Sequence, residues 1–161
     1  MGGSQPGYLH FLDRLPTTDQ RLRRSKIQVV RITRGSGKSL CLFAVRVHQA
    51  VGPFSLAVDA ACSGNPGAME YRGVHVASRQ EIFHFGPMYG TNNIGEFLAI
   101  VHGLALLKQK GFDMPIYSDS VNAINWIKQK KCKTKLPRDA KTEELFCLIE
   151  RAEKWLRENT Y

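Results

Sequence analysis

Residues 54–85 read FSLAVDAACSGNPGAMEYRGVHVASRQEIFHF and contain the clearest strand pattern of the chain. An apolar run at 54–59 ends in an acid, which is typical of a buried strand. Turn-forming residues fill 62–67, and the segments 71–77 and 81–85 then alternate between apolar and polar residues. This order predicts three neighbouring antiparallel strands joined by short turns.

Helical spacing replaces this alternation after residue 90. Apolar residues recur every three or four positions over 94–110, and Gly111 predicts the end of this helix. The polar residues Thr91, Asn92 and Asn93 offer caps for its start. The chain therefore predicts a first helix directly after the three strands.

One more strand and two more helices complete the pattern. Residues 114–117 predict a short strand, and 118–120 predict the cap of a second helix. The apolar face of that helix is expected to contain Val121, Ile124, Trp126 and Ile127. A last helix is predicted over 142–157, with one side formed by Leu145, Leu148, Ile149, Ala152 and Leu156. The order β-β-β-α-β-α-α indicates an α/β fold, with a mixed sheet of three antiparallel strands followed by parallel pairing and helices packed on the sheet.

The first third of the chain differs from the rest in charge. The net charge of the 161 residues is +9, and residues 1–50 hold nine Lys or Arg but two acids. We predict a basic N-terminal extension over 1–52, with a β-hairpin formed by 27–33 and 39–47, and a second unit over 53–161. The charge favours polyanionic partners such as nucleic acid, although a solvated basic surface has the same composition.

Two classes of protein are excluded by composition. No run of about 18 apolar residues occurs, so a membrane-spanning helix is not expected. The N-terminus contains no apolar secretory core, and the four cysteines show no CxxC spacing. We therefore expect a cytoplasmic protein with reduced thiols and no membrane partner.

Three acids occupy special positions in this pattern. Asp59 and Asp119 each end an apolar strand, and Glu96 lies in the predicted first turn of an apolar helix. Carboxyl ends of parallel strands open onto one crevice, and three carboxylates there would suit Mg²⁺ or Mn²⁺. Two such ions about 4 Å apart can clamp the attacking and leaving oxygens of a phosphodiester. Taken singly, Glu96 also suits a helix dipole and Asp119 a helix cap.

Three motifs resemble those of type 1 ribonuclease H. They are VDAACSGNPG at 58–67, GTNNIGEFLA at 90–99 and IYSDS at 116–120, and they follow the family's order. Glu96 lies 37 residues after Asp59, and Asp119 lies 23 residues after Glu96. The resemblance covers about residues 54–157, and the wording MEYRGV at 69–74 is similar to the version found in Bacteroidetes bacteria.

The resemblance implies an endonuclease that hydrolyses the RNA strand of an RNA–DNA hybrid and leaves 5′-phosphate and 3′-hydroxyl ends. It makes Asp59, Glu96 and Asp119 the catalytic and metal-binding residues, with Mg²⁺ as cofactor and Mn²⁺ as a substitute. Asp59 bridges two ions in this comparison, and the other two acids hold the ion nearer the leaving group.

The same resemblance assigns nucleic-acid contacts to four polar residues. Asn65, Asn92 and Asn93 match positions that contact RNA 2′-hydroxyls, the group that distinguishes RNA from DNA. Thr91 matches a position that binds a DNA phosphate. Turn formation and helix capping explain the same four residues without a ligand.

The chain departs from the family pattern at its end. The family has a fifth strand, a final helix and a fourth carboxylate, and the resemblance stops before them, so the domain at 53–161 is C-terminally short. Three explanations stay open: a truncated or degenerate copy, an N-terminal strand at 27–33 or 39–47 with Asp13 or Asp19 as the acid, or a weaker ligand at Glu158 or Asn159. An open sheet edge at this place would also invite a homodimer.

A basic run follows the second predicted helix. Its cations are Lys128, Lys130, Lys131, Lys133, Lys135, Arg138 and Lys141. We predict that Lys128, Lys131 and Lys133 bind the backbone of a nucleic acid, whereas a solvated helix end is the plainer explanation. The sequence therefore predicts a metal-dependent endoribonuclease whose activity is impaired if no acid replaces the fourth carboxylate. The alternative is a weak or inactive module that binds hybrid or double-stranded RNA.

Overall fold

The computed structural model describes residues 54–161 and, for residues 27–29, the backbone alone. The strands are β1 (Ile27–Val29), β2 (Leu56–Gly64), β3 (Gly67–His75), β4 (Glu81–Gly90) and β5 (Ile116–Ser118). The helices are α1 (Asn92–Lys110), α2 (Val121–Gln129) and α3 (Glu143–Glu158). This is the predicted order of elements, with the predicted strand at residue 27 added in front.

A mixed sheet forms the centre of the fold, with the strand order β1-β5-β2-β3-β4. The strands β2, β3 and β4 pair antiparallel, whereas β5 runs parallel to β2. The prediction of three antiparallel strands followed by parallel pairing is therefore confirmed. Because β2 and β5 run in the same direction, their carboxyl ends lie at the same end of the sheet.

The strand β1 pairs parallel with β5 and occupies the edge beyond it, with Ile27 opposite Ile116 and Val29 opposite Ser118. This pairing agrees with the second of the three explanations for the short C-terminus, in which an N-terminal strand occupies the place of the family's fifth strand. The edge of β5 is consequently paired and is not the open edge on which we based a homodimer. The remainder of the predicted hairpin, with Asp13, Asp19 and the boundary at residue 52, lies outside the described residues.

The central helix α1 packs closely on the sheet through two glycines. Gly95 faces Ala60 and Met69, and Gly103 faces Ile116 and Leu56. A side chain at Gly95 would place its Cβ 2.8 Å from the Cβ of Ala60, closer than real Cβ atoms approach. These glycines allow the helix to approach the strands that carry two of the three acids.

Helix bounds agree with the sequence patterns, with one error in the apolar face of α2. Gly111 ends α1 in the left-handed conformation at φ 70°, as its sequence position predicts. All five residues predicted for the inner side of α3 are buried, namely Leu145, Leu148, Ile149, Ala152 and Leu156. Val121, however, is 63% exposed, and the buried residues of α2 are Ala123, Ile124 and Ile127.

The strand bounds differ more from the predictions. The strand β3 begins at Gly67, directly after the turn, and β4 continues to Gly90. The alternation of apolar and polar residues predicted the end of β4 at Phe85. The strand continues because β4 is the edge of the sheet, where proline is tolerated, and because β4 carries a bulge in which Gly86 and Pro87 together stand opposite Glu70 of β3.

The described residues also bear on the predictions about cysteines and membrane-spanning helices. Cys62, Cys132 and Cys147 are free thiols, as predicted, and Cys41 lies outside the described residues. Within 54–161 and 27–29, no helix has the length and apolar character needed to cross a membrane.

Candidate active site

Three carboxyl groups from three different elements meet at one end of the sheet. Asp59 lies in β2, Glu96 in α1, and Asp119 directly follows β5. One oxygen atom from each lies within 4.8 Å of the others. Glu96 is buried, Asp59 is half-buried and Asp119 is exposed, so the cluster opens to solvent on one side.

Strand register brings the two aspartates level. In the parallel pair of β2 and β5, Ala57 is opposite Tyr117. Asp59 lies two residues after Ala57 and Asp119 lies two residues after Tyr117, so the two aspartates are neighbours on adjacent chain segments. We predicted that Asp59 ends its strand. This is wrong, because β2 continues past Asp59 to Gly64.

Glu96 is held in place by two hydrogen bonds. The backbone N–H of Ala60 donates to its Oε1 at 3.1 Å, and the hydroxyl of Ser118 donates to its Oε2 at 3.5 Å. Ser118 Oγ in turn accepts a hydrogen bond from the N–H of Ser120 at 3.2 Å. The sequence placed Ser118 only among the cap residues 118–120 of the second helix, because its partner Glu96 comes from another element.

The electrostatics of the cluster favour a bound cation. Burial raises the pKa of Glu96 to about 9, the charge of Asp59 and a hydrogen bond with it add to the increase, and Asp119 contributes further. The hydrogen bond from Ala60 acts in the opposite direction. A divalent cation would relieve this repulsion, and hard carboxylate oxygens fit Mg²⁺ or Mn²⁺.

The helix-dipole explanation of Glu96 and the helix-cap explanation of Asp119 do not hold. The helix α1 begins at Asn92, so Glu96 lies beyond its first turn, which contains no acid. The cap of α2 is Ser120, whose Oγ accepts a hydrogen bond from the N–H of Ala123 at 3.3 Å. Neither Glu96 nor Asp119 therefore serves mainly as a helix-end residue.

The four polar residues assigned to nucleic-acid contacts lie at the start of α1 or beside it. Thr91 is the cap of α1, and its Oγ1 accepts a hydrogen bond from the N–H of Ile94 at 3.4 Å. The Oδ1 of Asn65 accepts from the N–H of Asn92 at 3.2 Å and ties the β2–β3 turn to this helix end. The capping and turn roles are thus present for Thr91 and Asn65, and the nucleic-acid roles of all four, including Asn93, stay predictions.

The three predicted lysine contacts differ in their surroundings. Lys128, in the last turn of α2, and Lys133 are exposed. Lys131 Nζ instead donates to Oε2 of the buried Glu153 at 2.8 Å. Sequence reasoning missed this anchor because Glu153 lies on the inward side of α3, where an acid is not expected.

The C-terminal residues do not supply a fourth ligand. Asn159 Oδ1 accepts a hydrogen bond from Lys108 Nζ at 2.8 Å, and its amide donates to the carbonyl of Trp155. Lys108 lies 12 residues after Glu96 in α1, which corresponds to about 18 Å along the helix. The proposal that Asn159 or the neighbouring Glu158 completes the cluster is therefore wrong.

Comparison with known proteins finds similarity to a solved structure and to a family model. A solved structure, the N-terminal RNase H domain of a Mycobacterium tuberculosis protein fused to maltose-binding protein, is similar over 65% of this chain and 76% of that one. The sequence identity is 20% and the TM-score is 0.42. The family model described as RNase H matches residues 53–159, well over half of the chain, and these include all three clustered acids. The chain belongs to the RNase H family.

Proposed function

We propose that this protein is an endonuclease of the ribonuclease H type, which hydrolyses the RNA strand of RNA–DNA hybrids. The observation that carries the proposal is the cluster of Asp59, Glu96 and Asp119, whose oxygens lie within 4.8 Å of one another. These acids also stand in the three motifs that resemble type 1 ribonuclease H. Membership of the RNase H family supports nuclease chemistry in general.

The three carboxylates would hold divalent cations, with Mg²⁺ as the expected ion and Mn²⁺ as a substitute. Bound there, two cations would supply charge neutralisation for the attacking and leaving oxygens of a phosphodiester. The protein's own contribution is rigidity: Ala60 and Ser118 fix both oxygens of Glu96, and strand pairing fixes Asp59. The cluster therefore needs little rearrangement when an ion and a substrate arrive.

The proposed reaction is hydrolysis at phosphorus. The oxygen of water forms a bond to the phosphorus while the bond from phosphorus to the 3′ oxygen breaks. The water oxygen stays on the phosphate, and the leaving 3′ oxygen gains a proton. The products are a 5′-phosphate and a 3′-hydroxyl end.

Selection of the RNA strand is proposed for the residues around the start of α1. The turn residue Asn65 is joined to Asn92, so the amides that would contact 2′-hydroxyls share one surface with Asn93. Thr91, at the cap of the same helix, would bind a phosphate of the DNA strand. Their common location beside Glu96 supports this division.

The domain organisation and location are proposed with the function. We place the nuclease domain at 53–161 behind a basic extension at 1–52, and we expect the protein in the cytoplasm. A hybrid is the partner that this site would bind.

A strand-specific cleavage assay tests the proposal. An RNA–DNA hybrid with a different label on each strand is incubated with Mg²⁺, Mn²⁺ or EDTA, beside RNA duplex and DNA duplex of the same sequence. We expect cutting of the RNA strand of the hybrid, its loss in EDTA, and its loss in the Asp59→Asn variant, which keeps the size of the side chain.

The other outcomes have definite meanings. Hybrid binding without cleavage in any metal would reject the enzyme and leave the binding module. Undiminished cleavage by Asp59→Asn would place the reaction at a different site. Cleavage of DNA duplex at the same rate would contradict the substrate class.

A further inference from the structure

The basic segment, defined here as residues 130–141, joins α2 to α3 without regular secondary structure. It contains six Lys or Arg and a single acid, Asp139. A segment of this charge would be expected to extend into solvent and to stay separate from the protein. Its contacts show instead that it is fastened to α3 at both ends.

Glu153 provides the first anchor. Its side chain is 4% exposed and accepts hydrogen bonds from Lys131 Nζ at 2.8 Å and from the N–H of Cys132 at 2.9 Å. Arg157 adds an ion pair at 3.7 Å. A buried carboxylate needs such partners, so Glu153 fixes the position of Lys131, whose side chain is otherwise 61% exposed.

Arg138 provides the second anchor. Its guanidinium donates to Glu143 at 2.6 Å and also to Glu150, and it lies over the ring of Phe146. The hydroxyl of Thr142 accepts from the N–H of Asp139 at 2.8 Å. The basic segment therefore runs along α3 between two fixed points.

The residues between the anchors alternate in exposure. Cys132 is buried and Thr134 and Leu136 are half-buried, whereas Lys133 and Lys135 are exposed. In an extended segment, residues two apart point to the same side and lie about 7 Å apart. Within the described part of the chain, no acid forms an ion pair with either lysine.

The far end of the basic segment lies near the start of α1. Lys141 Nζ lies 3.5 Å from the centroid of the Tyr89 ring, at the end of β4. The next residue, Gly90, packs near Leu145 of α3 and leads directly through Thr91 into α1. A duplex that contacts Thr91, as proposed above, would therefore be within reach of this segment.

We propose that Glu153 is a positioning residue for nucleic-acid binding: it fixes the start of the basic segment through Lys131 and the N–H of Cys132 and so presents Lys133 and Lys135, side by side, to phosphates of one strand. The inference rests on the proposed function, and it changes the prediction that Lys131 itself binds the nucleic acid. The ion-paired cations Lys131 and Arg138 shape the segment, and the outward cations Lys133 and Lys135 bind the polyanion.

Glu153→Gln tests the inference, because the two effects it could have on the affinity for a hybrid are opposite in sign. Glutamine keeps an oxygen for the N–H of Cys132 but loses the charge that holds Lys131. Removal of a negative charge should by itself tighten binding of a polyanion, whereas a loosened segment should weaken it. We expect several-fold weaker binding of an RNA–DNA hybrid, measured by fluorescence anisotropy with Asp59→Asn in the background to prevent cleavage.

The control and a second pair of variants keep the test decisive. Glu144→Gln makes the same charge change at an exposed position of α3, so it should leave binding unchanged or slightly tighter. Lys133→Met and Lys135→Met, at exposed positions that tolerate substitution, should each lower the slope of log affinity against log salt by nearly one. Thermal melting is recorded for every variant, and binding is compared below the lowest midpoint.

Three results would overturn the inference. Equal or tighter binding by Glu153→Gln would remove the positioning role. Unchanged salt slopes in both lysine variants would remove the outward contacts, while the proposed function would survive. Failure of the Asp59→Asn protein to bind hybrid at all, together with failure of the unaltered protein to cleave it, would overturn the proposed function and this inference together.

Discussion

The hydroxyl of Ser118 is the smallest feature on which the site geometry depends. It is fully buried, donates to Glu96 and accepts from the N–H of Ser120. Groups that orient a metal ligand usually change activity by about 10-fold to 100-fold when they are removed. Its role could not be predicted from the sequence, because the hydrogen bond joins β5 to α1 across 22 positions.

We expect Ser118→Ala to lower kcat for hybrid cleavage by about tenfold, since one oxygen of Glu96 then loses its donor. Steady-state kinetics in Mg²⁺ measure the change. Ser120→Ala is the matched control: it removes the cap of α2 and costs about 1 kcal/mol of stability, but it leaves the Ser118 contact with Glu96. Equal kcat values for the two variants would reject the orienting role of Ser118.

His102 is a second single residue of interest, and it affects the stability of the protein. It is buried in α1, stacked on Phe83 with ring centroids 4.0 Å apart, and 3.5 Å from the hydroxyl of Tyr71. Burial lowers its pKa to about 3. The packing of its ring explains why a histidine lies in an apolar helix.

We predict that the contribution of His102 to the free energy of unfolding falls as the pH is lowered from 6.5 towards 3, whereas Glu96, whose pKa is raised to about 9, contributes in the opposite direction between pH 9 and 4.5. The unfolded chain takes up a proton at His102 near pH 6.5, whereas the folded protein resists it until about pH 3. The contribution is thus present above pH 6.5 and is lost on acidification, at up to about 1.4 kcal/mol per pH unit. Urea unfolding at pH 7, 5.5 and 4.5 measures it.

His102→Leu supplies the comparison for this pH dependence. The variant cannot take up the proton, so its stability should rise relative to that of the unaltered protein as the pH falls from 7 to 4.5, although the absolute value is lower at pH 7. An equally steep pH dependence in both proteins would mean that His102 does not control the acid sensitivity.

At the scale of elements, α1 determines whether the three acids meet. Its start, its end and its buried character all follow from the sequence, as do the positions of α2 and α3. The sequence could not show that Gly95 and Gly103 set the distance to the sheet, because a glycine inside a helix usually signals only lower stability. Contact with Ala60 in β2 gives Gly95 its importance.

We expect Gly95→Ala to lower stability by about 1–3 kcal/mol and to reduce cleavage strongly. Its new Cβ would meet the short side chain of Ala60 and push α1 outward, which separates Glu96 from the N–H of Ala60. Thermal melting and hybrid cleavage, measured on the same preparation, report the two effects.

Gly103→Ala is the control in the same helix. Its Cβ would lie 3.0 Å from the tips of Ile116 and Leu56, which are flexible ends that can move aside. This variant should keep most of its activity even if it loses some stability. If both variants lost activity in proportion to stability, α1 would act through general packing and not through the position of Glu96.

At the scale of the whole molecule, most of the architecture was predictable. The alternation in 54–85 and the helical spacing after it identify the mixed sheet, because buried faces impose their period on the sequence. Two features were not: the course of β4 past Pro87, which depends on its place at the sheet edge, and the choice of the strand at residue 27 among the open explanations, because its pairing with β5 joins residues far apart in the chain.

The candidate site was predictable to a similar degree. Motif order and spacing brought Asp59, Glu96 and Asp119 to notice together, and the structure places their oxygens within 4.8 Å. The partners that hold them, Ala60, Ser118 and Gly95, carry no signal of their own. The basic cations divide into two that pair with acids of α3, Lys131 and Arg138, and two that face solvent, Lys133 and Lys135. This division depends on the contacts of α3 and not on sequence.

The measurement that tests this account most directly is Mn²⁺ binding, followed by electron paramagnetic resonance during titration of the full chain. Because three carboxylates from β2, α1 and the end of β5 converge, we predict Mn²⁺ binding that Mg²⁺ displaces and that Asp59→Asn weakens severely. Asp113→Asn, an exposed acid outside the cluster, serves as the charge control and should bind as the unaltered protein does. Equal Mn²⁺ affinity in Asp59→Asn and Asp113→Asn would contradict a metal centre at this cluster.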